Sequence, residues 1–229
     1  EINNTTAKKK TVTIDGIVKQ WINMAGKSIN EAPVQSGKLD EKVALAVAGQ
    51  KKVVLNPNCV TKVRIEQPVA DGQLNYWTPS TPHLYGALIS IKDGKKAIDT
   101  KYERFGWREF DIEGGHLRLN GKNISLAGDS WHFTGVPQMT RRYAWAWYTA
   151  LKAANCNAAR LHAQPFPRFY MDMADEMGIC ILGETGLWSS DGGPKIDSEE
   201  YWTNAVEHIR RYIKRDRNHA SIFGWSVCN

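Results

Sequence analysis

The chain has 229 residues, 42% of them hydrophobic and nine of them Trp, which is enough apolar material for a packed core and excludes a disordered chain. Lys and Arg number 30 against 24 acidic residues, a net charge of +6, but the one dense basic run is Lys8-Lys9-Lys10 near the start. With no zinc-finger or RNP-type pattern, that charge does not point to a nucleic-acid partner, and with no run of about 18 apolar residues no transmembrane helix is expected.

From about Thr11 to Ile112 the chain reads as short β-strands. "TVTI" opens with β-branched alternation, and "KKVVLNPN" and "TKVRIEQPV" are strand runs closed by Asn-Pro and Gln-Pro. "LYGALISIKDGKKAIDTKYERFGWREFDI" predicts a hairpin that turns at Asp93-Gly94. Short strands at this spacing, without a helical period, predict a β-sandwich over residues 1–112.

After Gly114-Gly115 the pattern changes. "HLRLNGKNISLAGDSW" predicts a small hairpin around Asn120-Gly121, then a strand, "ISLAG". "RRYAWAWYTALKAANC" predicts a helix with Tyr143, Trp147, Ala150, Leu151 and Ala154 on its apolar face. "NAARLH" is a strand. "FPRFYMDMADEMG" is a helix with Phe166, Phe169, Tyr170, Met173 and Met177 on one face and Gly178 as its stop. "ICILGETG" is a strand. Asp197 followed by Glu200 suggests a capping-box start for a helix that buries Trp202, Ala205, Val206, Ile209, Tyr212 and Ile213. "SIFGWSV" is the next strand.

Residues 113–229 therefore run β-α-β-α-β-α-β. Strands this apolar need cover on both faces, as in parallel sheets. An eight-stranded (β/α)₈ barrel takes about 250 residues, so this stretch supplies about half of one. Two sheet edges are then left open, and self-association into a homo-oligomer is expected.

Four cysteines, Cys59, Cys156, Cys180 and Cys228, follow no metal or disulfide spacing, and Cys180 and Cys228 read as buried free thiols in strands. Asn3, Asn4 and Asn123 lie in N-x-[ST] sequons. The first residue is Glu and no leader pattern follows it, so the sequence reads as an excised or processed piece.

Five stretches, in order and covering nearly the whole chain, resemble glycoside hydrolase family 2, the β-galactosidase, β-glucuronidase and β-mannosidase group. "WTPSTPHLY" (Trp77 to Tyr85) resembles its W-x-P-x-x-P-x-L-Y run, and "FGWRE" (Phe105 to Glu109) its F-G-[FW]-R signature. "LNGKNISLAGDSWH" (Leu119 to His132) resembles the L-N-G-K-x-[IV]-x-L-x-G-x-x-x-H run that leads into the family's barrel. "NAARLHAQPFPRFYMDMADEMGI" matches N-x-x-R…P…D-E-x-G. "RDRNHASIFGWSVCN" resembles R-D-[RK]-N-H-P-S-[IV]-x-x-W-S-x-x-N-E, with Ala220 where Pro is usual. The resemblance implies an immunoglobulin-like sandwich followed by the first four βα units of a TIM barrel. It also implies a retaining exo-β-glycosidase. Its general acid/base is the Glu directly after Asn229 and its nucleophile lies on a later strand, so no catalytic residue is expected within this chain.

Barrel active sites lie at the C-terminal ends of the strands. His219, which precedes the last strand, is therefore read as structural, together with Asp216-Arg217. By resemblance the Asn229 amide binds the sugar 2-hydroxyl and Arg160 supports the catalytic carboxylates. A buried Arg needs a carboxylate partner, and Glu184 is the obvious one, itself within reach of substrate. The family's S-H-Y-P after this Arg is here Leu161-His162-Ala163-Gln164-Pro165, so Ala163 stands at the usual His position and His162 or Gln164 takes over the contact. His132 matches the family's His near the sugar subsite. Asp129 holds its ring or binds a hydroxyl. Trp131 and Trp188 are placed on loops at the same face, for sugar stacking or for packing. Trp225 lines the pocket floor or fills the barrel. "GETGLWSSDGG" lacks the Glu-x-His pair some β-galactosidases use for Mg²⁺, so no metal and no cofactor is expected. The partner implied is a β-glycoside. The alternative is a non-catalytic carbohydrate-binding or scaffold protein of family 2 descent.

Overall fold

The computed structural model of the chain describes residues 1–24, 37–132, 135–188 and 196–229. They divide into two compact units. The first comprises Glu1–Trp21, Leu39–Asn75 and Tyr85–Phe105, and the second Ile22–Lys38, Tyr76–Leu84 and Gly106–Asn229.

The strands of the first part are β1 (Ile2–Asn4), β2 (Lys10–Asn23), β3 (Gly37–Leu55), β4 (Cys59–Thr61), β5 (Leu84–Asp93) and β6 (Lys96–Phe105). They form a four-stranded sheet in the order β3-β2-β5-β6 and an antiparallel pair, β1-β4. Strand alternation sets the core. Val12, Ile14 and Val18 of β2 are buried on one face, and Val18 packs with Leu45, Leu74 and Tyr85. Gly16 continues that face, because a Cβ there would lie 2.9 Å from Ile89 Cδ1.

Three expectations shift here. The hairpin pairs Asp93 with Lys96, so its two-residue loop is Gly94-Lys95, one residue later than predicted, with Gly94 at φ 58°. The strands are longer than the sequence suggests, β3 alone covering 19 residues. Beyond Thr61, "TKVRIEQPV" forms no strand. Its alternation is real but serves burial without pairing, since Val63 and Ile65 line an apolar cavity with Ile14, Ile89 and Ile91. The Asn4 sequon is a turn: the buried side chain donates to Lys8 O and Asn56 O and accepts from the Thr6 N–H.

The second unit opens with a small antiparallel sheet, β7 (Phe110–Glu113), β8 (His116–Leu119) and β9 (Lys122–Asn123). Asn120-Gly121 turns it, as predicted, with φ 53° and 75°, the pair of positive values a tight two-residue turn demands. Then β10 (Gly128–His132), α1 (Arg141–Ala153), β11 (Ala158–His162), α2 (Arg168–Met177), β12 (Cys180–Glu184), α3 (Glu199–Asp216) and β13 (Ile222–Ser226) alternate. The four strands pair in parallel in chain order, β10-β11-β12-β13. The first of them is "GDSWH", not "ISLAG", so Trp131 and His132 belong to a strand and not to a loop.

Two of the three helices start at a side-chain cap, and α2, preceded by Pro167, does not. Thr140 caps α1 by accepting the Tyr143 N–H, and Ser198, not Asp197, caps α3 by accepting from Tyr201. Gly178 ends α2 at φ 72°, where a Cβ would also strike Pro79 O at 2.1 Å. On α2 the predicted Tyr170, Met173 and Met177 are buried, but so are Met171, Ala174, Asp175 and Glu176, while Phe169 is half-buried and Phe166, also buried, precedes the helix. On α1 the buried set is Ala144, Trp147, Tyr148 and Leu151, leaving Ala150 and Ala154 exposed. On α3 only Ala205 and Tyr212 of the predicted face are buried. Trp202 is 53% and Val206 46% exposed, and both line an open apolar groove with Trp188 and Val227. Cys180 is buried, and burial pushes its thiol up to about 12. Cys228 is exposed, because β13 ends two residues earlier.

The end of the sheet where β13 begins is tied down by one carboxylate. Asp175 on α2 accepts the Ser221 N–H at 2.8 Å and lies 2.7 Å from His219 Nδ1, which must carry the proton because an ionised carboxylate can only accept. The Asp175 carbonyl accepts the Trp77 indole N–H at 2.8 Å. Arg108 of the "FGWRE" motif donates to the carbonyls of Ala220 and Ile222. Gly106 beside it is required by space, since a Cβ would lie 2.5 Å from that of Ala220. His219 is thus structural, as expected from its place before the strand.

Burial alone would push the His219 imidazole down, but the Asp175 carboxylate outweighs it and the net shift is upward. A raised folded-state value means that the pair stabilises fully below the ordinary imidazole value of 6.5 and loses that contribution as pH rises through the folded value. His219→Ala leaves Asp175 buried without its cation and is expected to cost about 3–5 kcal/mol at mildly acidic pH. The deficit should narrow on going alkaline, as measured by urea unfolding of both proteins across pH.

Candidate functional site

Parallel register puts His132, His162, Glu184 and Ser226 in one row at the C-terminal edge of the sheet. Alternation then sorts the neighbours. Leu161, Ile181 and Ile222 face the helices and belong to the main core cluster, so Arg160, His162 and Glu184 point to the other face.

There Arg160 meets Glu184 as a fork: Nε reaches Oε2 and Nη2 reaches Oε1, both at 2.9 Å. This is the bidentate geometry that makes a guanidinium–carboxylate pair strong and directional. Glu184 is 1% exposed and accepts a further bond, from the Ala163 N–H at 2.6 Å, while Ser226, next to it in register, donates its hydroxyl to Cys228 O at 2.9 Å. Burial pushes its carboxyl up, but the Ala163 N–H and the hydrogen bonds and charge of Arg160 hold it below the ordinary carboxylate range. Glu184 is therefore an anion at any pH above that range. Arg160 Nη2 also donates to Asn229 Oδ1 at 2.6 Å, and the Asn229 N–H donates to Leu187 O.

Beside this cluster the His132 and His162 rings lie with centroids 3.8 Å apart, tilted by 31°. Burial, the His132 ring and the Arg160 charge push the His162 imidazole down, against the pull of Glu184. Ala163 sits at φ 53°, in the left-handed region, and turns its N–H onto Glu184.

The structure thus brings together Arg160, Glu184, Asn229, His162 and His132. Trp188 is exposed and borders the same apolar groove as Asn229. Asp129 lies three positions before the strand end, exposed, with its carboxylate accepting the Ser130 N–H. Two tryptophans go elsewhere. Trp225 pairs with Gly183 and packs edge-on against Tyr212 of α3 at 4.9 Å, which places it against the helices. Trp131 packs on Trp147 of α1 at 5.0 Å. Both carry the strand parity opposite to Arg160 and His162. Part of "GETGLWSSDGG", from 189 onward, lies outside the described residues.

Two contributors carry no sequence signal as site residues. Ser226 reads as one more strand residue. Gln138 is buried and donates to His132 O at 3.0 Å while accepting the Gly135 N–H, which fixes the chain leaving β10. Its only hint is the Gly-Val-Pro-Gln spacing of a capped 3₁₀ turn at Val136–Gln138. Among the described residues, Asp172, Asp175 and His219 place metal-ligand atoms within 4.8 Å of one another. They belong to the other end of the sheet, and both Asp175 oxygens there already accept protein donors.

A four-stranded parallel β/α sheet with an ion-paired cluster at its C-terminal strand ends, preceded in the chain by a mostly β unit, is the arrangement of a β domain followed by the start of a β/α barrel. The chain belongs to glycosyl hydrolases family 2: the family's TIM barrel domain matches residues 110–229, and the further domain described as "Glycosyl hydrolases family 2" matches residues 1–108. It is 36% identical over 163 residues to a Formosa agariphila protein provisionally named beta-glucuronidase, covering 67% of this chain and 15% of that protein. It is 28% identical over 214 residues to a beta-galactosidase of Priestia megaterium, covering 87% of this chain and 19% of that one. In fold it is similar to Bacteroides uniformis beta-glucuronidase, with a TM-score of 0.72, 20% identity, and coverage of 97% of this chain and 24% of that one. The chain thus spans less than a fifth of the length of these two curated relatives.

The electrostatics of the cluster give a direct check. By NMR the His162 ring should titrate below the ordinary imidazole value of 6.5, and Glu184→Gln, which removes the one charge raising it, should move it lower still. A midpoint that stays put in the variant would mean that Glu184 and His162 are electrostatically separate.

Proposed function

We propose that the chain is part of a retaining exo-β-glycosidase, β-galactosidase-like in type, and that it supplies the binding wall and neither catalytic carboxylate. In this reading residues 1–112 are an immunoglobulin-like sandwich, and residues 113–229 are the first four βα units of a (β/α)₈ barrel. Asn229 donates to a sugar hydroxyl, with Arg160, Glu184, His162 and His132 around it. Asp129 and Trp188 stand further out, and Trp225 acts through packing. The observation that carries the reading is the Arg160–Glu184–Asn229 network at the C-terminal strand edge, where barrel enzymes keep their chemistry.

In the retaining mechanism two carboxylates about 5 Å apart flank the glycosidic bond, one attacking the anomeric carbon and the other protonating the leaving oxygen and then activating water. By the family pattern the second of these is the residue after Asn229. The gene read past the Asn229 codon should give Glu, with a second strand-end Glu further on. A stop codon or another residue there would sink the enzyme reading. The purified 229-residue chain should release no measurable aglycone from an aryl β-glycoside, and robust turnover would contradict its role as a wall alone.

A second reading, a non-catalytic carbohydrate-binding or scaffold protein, rests on Ala163 standing where the family's His is usual. Calorimetric titration separates the two. A stable, saturable complex of this chain with a simple sugar favours the module.

A further inference from the structure

The Arg160–Glu184 pair has a consequence for the third member of its network. A guanidinium can only donate, so the end of the Asn229 amide that faces Arg160 Nη2 at 2.6 Å is its carbonyl. The amide NH₂ is then the end left for a ligand. Arg160 is held in that pose from behind. Glu184 takes both of its forked N–H groups, and Oε1 also accepts the Ala163 N–H, so three of the carboxylate's roughly four acceptor sites are in use. At 1% exposure, with its oxygens turned onto Arg160 and the Ala163 N–H, Glu184 lacks the access to bind a sugar itself. Ala163 contributes through its backbone, in a left-handed conformation that a non-glycine residue adopts only at a cost, and that conformation aims its N–H at Oε1.

We infer that Glu184 is a positioning residue: through Arg160 it fixes the orientation of the Asn229 amide, so that the site presents a hydrogen-bond donor, and not an acceptor, to the sugar hydroxyl. This rests on the assignment of Asn229 to the sugar 2-hydroxyl made under the proposed function. Without the Glu184 charge, Arg160 loses its anchor, and Asn229 is free to rotate and to offer either end.

The test is a double-variant cycle in the full-length protein carrying this segment. Asn229→Ala, Glu184→Gln and the double variant are assayed on a matched pair of aryl β-glycosides, one with and one without the 2-hydroxyl. Each single variant should lower kcat/KM on the hydroxylated sugar by about ten- to a hundredfold, with kcat falling as well as substrate affinity, because the contact strengthens in the transition state. The double variant should be no worse than the poorer single, and the losses on the deoxy sugar should be small. Losses that multiply in the double variant, or that are equal on both sugars, overturn the inference and leave Glu184 with a separate role. If Asn229→Ala alone changes nothing on either sugar, the Asn229 assignment itself fails and the inference falls with it. Where Glu184→Gln does not fold, Arg160→Lys takes its place in the cycle, since a single ammonium cannot hold carboxylate and amide together in the forked geometry. A crystal structure of Glu184→Gln gives a readout independent of turnover. The Arg160–Asn229 contact should be lost or the amide reversed, and an unchanged contact contradicts the inference.

Discussion

An ionised carboxylate inside a protein must be met by donors or it is not tolerated. The parallel sheet of this chain is organised at both ends by that constraint. At the end where β13 begins, Asp175 draws in the His219 ring and the Ser221 N–H, and its carbonyl takes the Trp77 indole. At the opposite edge, Glu184 draws in Arg160 and the Ala163 N–H. Each carboxylate joins different strands or a strand and a helix, so each fixes relative positions that apolar packing alone leaves adjustable.

The two networks differ in what they leave over. Both Asp175 oxygens accept from protein groups, and the pair it forms with His219 is nearly sealed from water. That arrangement stabilises and does nothing else. At the Glu184 edge the carboxylate is buried, and the exposed Asn229 and the paired His132 and His162 rings stand in front of it.

Membership in glycosyl hydrolases family 2 agrees with the location of that front at the C-terminal strand edge. The departure from the family pattern at Ala163 acquires a physical sense in the same place. The position has given up a side chain and works through its N–H, while the adjacent His162 stacks on His132.

Much of this was legible in the sequence, because it depends on local rules. The βαβ alternation follows from apolar runs and helical periods, the Asn120-Gly121 turn and the Gly178 stop from backbone freedom, and Arg160 with Glu184 from the pairing of opposite charges at neighbouring strand ends, although it is Glu184 and not Arg160 that is buried. Where strand ends fall decided which residues share an edge, and motif spacing came close. What escaped was whatever depends on which side of a strand faces which layer. Trp131 and Trp225 carry the same aromatic chemistry as Trp188, yet strand parity turns them onto the helices against Trp147 and Tyr212. Trp202 and Val206 continue the apolar period of α3 beyond the part that the sheet covers. Ser226, the Ala163 N–H and Gln138 have no chemistry of their own to announce them, and acquire roles only through the atoms brought to within hydrogen-bonding distance of them. The sequence by itself determined the order of elements, the family and the charged partners. The tertiary structure decided which face each side chain serves, because a strand offers two faces and only the packing of the neighbouring layers chooses between them.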